Sequence, residues 1–427
     1  MLRAGFAEIE ITPPVGTEIV GSIRRIESRR VLDPLFARAA VFESDTARLG
    51  FVQIDVCFVS AALVAAMRAR IEARSGFPGA SVMVAATHNH AGPVTETQGE
   101  CTADAAYVEG LVERVAQAFA AAAAGAVPAE VGQLSAFCFG VAHNRRVVMR
   151  DGTVRTHGTF ADAGALCYEG PIDPEVAVLA ARDATGRPLG VLVNFACHPT
   201  HHGTDASLSA GFPGVFADEM KTHGWPVPMF LNGAAGNMHT ADPGAGGANL
   251  TKEEAGRRLA GAALDVLQRL AYQRTLDLTV RVTRLPVPFR TPTAAERAGS
   301  VRGAQRFVDP TIYDRQMAAL VEWTTAQGSA AVELQVLRVG DRAYVGVPGE
   351  YFAELGLRVK EGCHPLHALV VGYANGALGY IPHREAFARG GYETTFGWGS
   401  KLAPGAGEAI AERAVALVRE GGGNAAP

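Results

Sequence analysis

The sequence predicts an α/β fold with mixed β-sheets flanked by helices, and three observations carry that expectation. Short apolar runs recur along most of the chain, helical stretches separate many of them, and some runs follow one another with no helix between. The first two place sheets beneath helices. The third requires antiparallel neighbours, so the sheets are mixed.

The candidate strands are Ala39–Phe42, Leu49–Ile54, Ser81–Ala85, Gly190–Phe195, Met229–Leu231, Ala343–Val347 and Leu369–Val371. Helices are predicted at Ala61–Ser75, Ala105–Ala124, Lys252–Leu270 and Glu408–Glu420, all Ala-rich or amphipathic, with a further one at Tyr351–Lys360. In Leu276–Val287 apolar and polar residues alternate, the pattern of antiparallel or edge structure. Loops are predicted at Ala241–Asn249 and Val308–Tyr313, and a Gly-rich tail follows Glu420. With no internal repeat, residues 1–420 read as one domain and 421–427 as its tail.

With 427 residues, 48% hydrophobic and 19% charged, the chain buries a large core. Its 39 basic and 43 acidic residues are spread along it, so no basic patch points to nucleic acid. The first residues, MLRAGFAEIEITPPVG, carry acidic groups where a secretory leader needs an apolar stretch. No uncharged apolar run reaches the roughly 20 residues of a membrane span. A cytoplasmic protein with no membrane partner is expected. The six cysteines form no C-x-x-C pair, which argues against a thiolate zinc cage and a disulfide framework and leaves buried packing. A homo-oligomer, most often a symmetric dimer, is the general expectation for an enzyme of this kind.

Four apolar runs end in polar or glycine-rich clusters: VMVAATHNHAGP, VLVNFACHPTHHG, MFLNGAAGNMH and AYVGVPGEY. Ligands of α/β sheets bind at the carboxyl ends of strands. His88 and His90 are separated by one residue, so an extended backbone turns both imidazoles to one side; the alternative is one core and one surface histidine. His198 follows Val191–Phe195 and precedes Pro199, which favours an extended backbone there, while His201 and His202 read as solvated loop residues. Glu350 stands between Val347-Pro348-Gly349 and a predicted helix, where a carboxylate can also favour the helix dipole. Two histidines and a carboxylate at separate strand ends have the composition of a catalytic zinc site with an open position. Arg145 and Arg146 offer paired donors for a substrate carboxylate or oxyanion, with a surface position as the alternative for either.

The chain resembles the catalytic domain of neutral ceramidases and their bacterial ceramidase-like relatives. The likeness runs in order through ITPPVGTEIVG, LDPLFARA, ATHNHAGP, HNRR, IDPEVAVL, NFACHPT, NGAAGN, VGVPGE and GYANGALGYIP. It implies a zinc ion held by His88, His198, Glu350 and Tyr380, the last on the resemblance alone. It also makes His90, beside the metal, the candidate proton shuttle. The chain departs from the family at His239, where ceramidases carry the serine of a G-D-x-S-P motif, and at Gly211, where many relatives have aspartate. No counterpart of the secreted ceramidases' immunoglobulin-like C-terminal domain or signal peptide is expected, so membrane ceramide is not the expected substrate.

The function that follows is cleavage of an amide bond in a small soluble substrate by a metal-activated water, with His90 or His239 relaying a proton to the leaving amine. Arg145 joins them as the expected anchor. A zinc-dependent esterase or lactonase is one alternative, and a metal-binding protein without catalysis is another. For His239 the competing reading is a plain loop residue at the edge of ADPGAGGAN.

Overall fold

Apolar side chains point alternately to both faces of most strands, and something must cover each face. The computed structural model, which describes residues 1–20, 25–97, 100–298 and 310–420, solves this with two stacked sheets between two sets of helices. The strands of the larger sheet are β1 (Arg3–Glu10), β2 (Phe36–Glu43), β3 (Arg48–Ile54), β4 (Val82–Ala86), β5 (Val127–Phe137), β6 (Glu175–Asp183), β7 (Pro188–Phe195) and β8 (Pro228–Asn232). They lie in the order β8-β7-β6-β5-β1-β2-β3-β4, with the two-residue strand Tyr272–Gln273 paired to β5. Helices α1 (Ala61–Ser75), α2 (Ala105–Ala124), α3 (Gly211–Thr222) and α4 (Lys252–Leu267) cover one face.

The smaller sheet is β9 (Leu278–Pro288), β10 (Ser329–Val339), β11 (Arg342–Gly346) and β12 (His367–Val371), in that order. Helix α5 (Pro310–Gln327) precedes β10, and α6 (Ala353–Gly362) and α7 (Ala406–Arg419) pack on the outer face. On β2, Ala37, Ala39 and Val41 face the helices while Ala40 and Phe42 face the second sheet. On β12, Leu369 and Val371 face the first sheet while Ala368 and Val370 face α6 and α7. Burial on both faces is why these strands read as unbroken apolar runs.

Local signals set the helix ends. Asp104 accepts from the amides of Ala106 and Tyr107 at the start of α2, and Thr251 with Glu254 forms a capping box at α4. Each predicted strand and helix is present, with ends shifted by a few residues. Within the two large sheets β1, β5, β6 and β10 were not predicted, and neither were the helices α3 and α5 or the small sheet of Arg146–Met149, Val154–Thr156 and Ala165–Tyr168. The loop expected at Val308–Tyr313 starts outside the described residues, and from Pro310 it is helix α5; proline suits a first helical turn, where its missing amide has no partner to lose. The loop expected at Ala241–Asn249 folds into two short paired strands around a turn. The tail 421–427 lies outside the described residues. Among those described, no helix is long and apolar enough to cross a membrane.

Most neighbouring strands are antiparallel, but β3–β4, β7–β8 and β11–β12 are parallel. Parallel neighbours need a crossover, supplied by α1, α3 and α6. The ends of these pairs meet. Gly233 donates to the Phe195 carbonyl, Gly372 to Asn232, Ala86 to Tyr373 and Asn375 to Val84, while the Asn232 amide donates to the Thr87 carbonyl. The carboxyl ends of β4, β7, β8 and β12 thus form one floor.

The chain leaving β8 crosses this floor and presses against the segment that bears Glu350. Gly236 donates to the Tyr351 carbonyl at 2.8 Å, and a Cβ on Gly236 would lie 2.2 Å from the Glu350 carbonyl oxygen. Gly236→Ala is expected to cost about 1–3 kcal/mol through overpacking and to lower metal content. By contrast Gly110 and Gly261, inside α2 and α4 with open space around the position, should gain about 0.4–1 kcal/mol each on replacement by alanine. Urea unfolding of the three variants, with elemental analysis of the first, checks both directions.

Candidate metal centre

His88 lies just past β4 in the left-handed region, with φ 66°. The extended backbone expected at His88–His90 is therefore corrected: a turn, not a strand, presents these rings. Asn89 supports it, its side chain accepting from the Ala91 amide at 2.8 Å. The two rings still meet, with His90 Nε2 3.1 Å from His88 Nε2.

Each of the two main imidazoles is fixed from behind. His88 Nδ1 donates to the Cys57 carbonyl at 2.9 Å, and His198 Nδ1 donates to the Ala235 carbonyl at 2.6 Å. A carbonyl only accepts, so each Nδ1 carries a hydrogen, and in the neutral ring each Nε2 turns a lone pair forward. Both lone pairs meet Glu350, whose Oε2 lies 3.1 Å from His198 Nε2 and 3.4 Å from His88 Nε2. Acceptors face acceptors there, an arrangement that a cation between them resolves.

The electrostatics agree. Burial, then the Arg145 charge, holds His198 down to about 3 in spite of Glu350, so this ring is neutral. Burial opposes charge on Glu350, but His88 and His198 outweigh it and keep its carboxyl well below the usual carboxylate range. Burial likewise opposes charge on His88, yet Cys57 and Glu350 lift it to about 10. The pocket calls for one positive charge at His88 Nε2, and a metal ion supplies it as well as a proton does. The ligand atoms of His88, His198 and Glu350 all lie within 4.8 Å of one another. Two imidazole nitrogens and one carboxylate oxygen fit zinc.

Tyr380 reaches the same place through pairing, since Glu350 and Tyr380 are partners in two short parallel strands, Glu350–Tyr351 and Tyr380–Ile381. Its ring lies parallel to that of His198 with centroids 6.5 Å apart, and its hydroxyl accepts from Arg145 at 3.0 Å. Arg145 also donates to Glu393 at 2.8 Å and to the Gly236 carbonyl at 2.9 Å. Arg146 is buried against Glu393, Glu169 and the Gly390 carbonyl. Neither arginine is a surface residue, and the geometry makes Arg146 a framework cation. Arg145 touches the site through the Tyr380 hydroxyl.

His239 is buried beside this centre, its backbone bridged to that of His198. Its Nε2 contacts the Thr200 hydroxyl, and its Nδ1 accepts from the Ala241 amide at 2.8 Å. The expected solvated position of His201 is also corrected, because both its ring nitrogens are buried and the ring packs edge-on against Phe212 at 6.0 Å. His202 does sit in the loop, paired with Asp205 at 3.1 Å.

Three neighbours of the centre were not read as site residues from the sequence. Tyr373, left-handed at φ 56°, stacks on His88 at 4.0 Å, and its buried hydroxyl has no partner among the described residues. Cys57, read from the sequence as inert packing, lies 3.7 Å from His88 Nδ1. Thr200 is the third.

A crystal structure of neutral ceramidase from Pseudomonas aeruginosa superposes on 98% of this chain and 74% of its own, with a TM-score of 0.73 at 22% identity. The fold is that of neutral ceramidase. A ceramidase complexed with C2 has the same TM-score of 0.73 and the same coverage at 21% identity. The sequence matches no family model and no curated protein. At these identities the ceramidase likeness establishes the architecture, and the chemistry rests on the side chains.

Purified protein is expected to hold about one zinc ion per chain. His88→Ala and His198→Ala should each lose most of it, and Tyr380→Phe, which removes one ligand oxygen and leaves the other three groups, should weaken binding by at least about 10- to 100-fold with the fold intact. Elemental analysis and circular dichroism read these outcomes. Wild-type zinc in both histidine variants would place the ion elsewhere.

Proposed function

We propose that the protein is a zinc-dependent hydrolase that cleaves an amide bond in a small soluble substrate. The observation that carries this reading is the pair of forward-facing imidazole lone pairs set against the Glu350 carboxylate. Zinc held there supplies a Lewis acid for the scissile carbonyl and lowers the pKa of water.

The chain's own residues do the rest. His88, His198 and Glu350 hold the ion, with Tyr380 as the fourth ligand and Arg145 fixing the direction of its hydroxyl. His90 stands 3.1 Å from His88 Nε2, half-buried where His88 and His198 are buried, so it can carry a proton between the centre and a leaving group. Amide cleavage needs that proton on nitrogen, whereas an ester with a good leaving group does not. The ceramidase fold supports the amide over the ester reading.

The test is a panel of short N-acyl amides and matched esters, run on wild type and His90→Gln. Amide turnover should fall about 10²- to 10⁴-fold in the variant, the usual span for a general acid, while an activated ester keeps most of its rate. Turnover of esters alone by the wild type would sink the amide assignment. Zinc binding without turnover of either would leave a metal-binding protein.

A further inference from the structure

We infer that the Thr200 hydroxyl donates a hydrogen bond to the reacting carbonyl oxygen of the substrate, and that His239 is the positioning residue that aims it. The inference rests on the hydrolase reading above and adds a catalytic residue to it.

The direction of each hydrogen in the Thr200–His239 pair follows from one contact. The Ala241 amide donates to His239 Nδ1 at 2.8 Å, so that nitrogen carries no proton. The neutral ring therefore bears its hydrogen on Nε2 and gives it to Thr200 Oγ1. A second proton on the ring would set two N–H groups against each other at Ala241. Loss of the Nε2 proton would leave a buried imidazolate. His239 is thus confined to one tautomer and acts as a fixed donor, not as the proton carrier that its place in the sequence suggested.

The consequence falls on Thr200. With His239 donating to its oxygen, the hydroxyl must point its own hydrogen at some other acceptor. Thr200 lies two residues beyond the ligand His198, across Pro199, and residues two apart on an extended backbone face the same side. The segments His198–Thr200 and Met238–Thr240 run alongside each other, bridged at His198 and His239. His198 and His239 are buried, while Thr200 is only half-buried. The Thr200 side chain therefore shares a side with those of His198 and His239 and is the most exposed of the three, the position from which a hydroxyl could meet a substrate held at the centre. A donor already oriented before substrate arrives stabilises developing negative charge without reorganising.

The experiment compares Thr200→Val, Thr200→Ser and His239→Gln, all zinc-loaded and checked for metal content. Thr200→Val should keep zinc and KM but lose about 10²-fold in kcat, the scale of one oxyanion donor. It should also weaken phenylphosphonate, whose charged oxygens occupy the oxyanion position, by a similar factor. Thr200→Ser should restore most of both. His239→Gln retains an N–H able to reach Thr200, so it should stay within about tenfold of wild type with the same pH–rate profile. Unchanged kcat and phosphonate affinity in Thr200→Val would overturn the role of Thr200. A pH limb that vanishes in His239→Gln would instead make His239 the proton carrier. Phosphonate affinity reads the donor even where turnover is absent, and wild-type protein that holds no zinc contradicts the hydrolase reading itself.

Discussion

Two imidazole lone pairs and a carboxylate aimed at one another are unfavourable unless a cation lies between them, and the molecule is built to keep them so aimed. The Cys57 and Ala235 carbonyls hold the backs of the rings. His88 stays in a left-handed conformation, at the cost of about 1–3 kcal/mol usual for such strain. Gly236 lets the main chain of the Glu350 segment close in. Together these features make a cavity whose electrostatic demand is met by one small, hard-to-replace charge.

Behind the ligands lies a second layer of order. Arg145 and Arg146 share Glu393 between them, Thr156 donates to the same carboxylate at 2.7 Å, and Arg146 reaches on to Glu169. These charges are buried, and removing one partner from such a network typically costs about 3–5 kcal/mol because the other is left uncompensated. The network joins the strand after His143 to the turn around Tyr392 and thereby fixes the Tyr380 hydroxyl. Lys401, outside this network, donates to the Leu378 and Trp398 carbonyls and so ties down the chain leading into Tyr380. The basic residues that look like substrate anchors in the sequence are largely engaged in holding a phenol in place.

How much of this was legible in the sequence depended on whether the signal was local. His88, His198 and Glu350 were readable because each ends an apolar run, and strand ends are where α/β sheets bind ligands. Tyr380 was not, since its position comes from pairing with a strand thirty residues away in sequence, and only family resemblance pointed to it. Tyr373 and Cys57 owe their places to tertiary contacts that no spacing encodes, whereas Thr200, two residues past His198, carried a spacing signal that its contact with His239 made meaningful. The same holds for the fold. Strand β5, VPAEVGQLSAF, mixes proline, glutamate and glutamine into its apolar positions, and α3 opens on Gly-Phe-Pro-Gly without a side-chain cap, so neither announces itself. His239 was noticed for the right reason, as a departure beside the centre, but its tautomer depends on an amide contributed by the turn that follows.

The ligands also have a temporal meaning. His198 and Glu350 are separated by 152 residues, and the Asn375 contacts that tie β12 to β4 span 291. Contacts this distant in sequence form late, because the chain must close long loops first. As the polypeptide is synthesised, the histidines emerge well before the carboxylate and the phenol that complete their set. A half-made chain therefore presents isolated imidazoles, and the full set of candidate ligands comes together only once both sheets have stacked. On the proposed reading, metal uptake would mark the completion of folding, and the ion would act as a seal on a finished molecule.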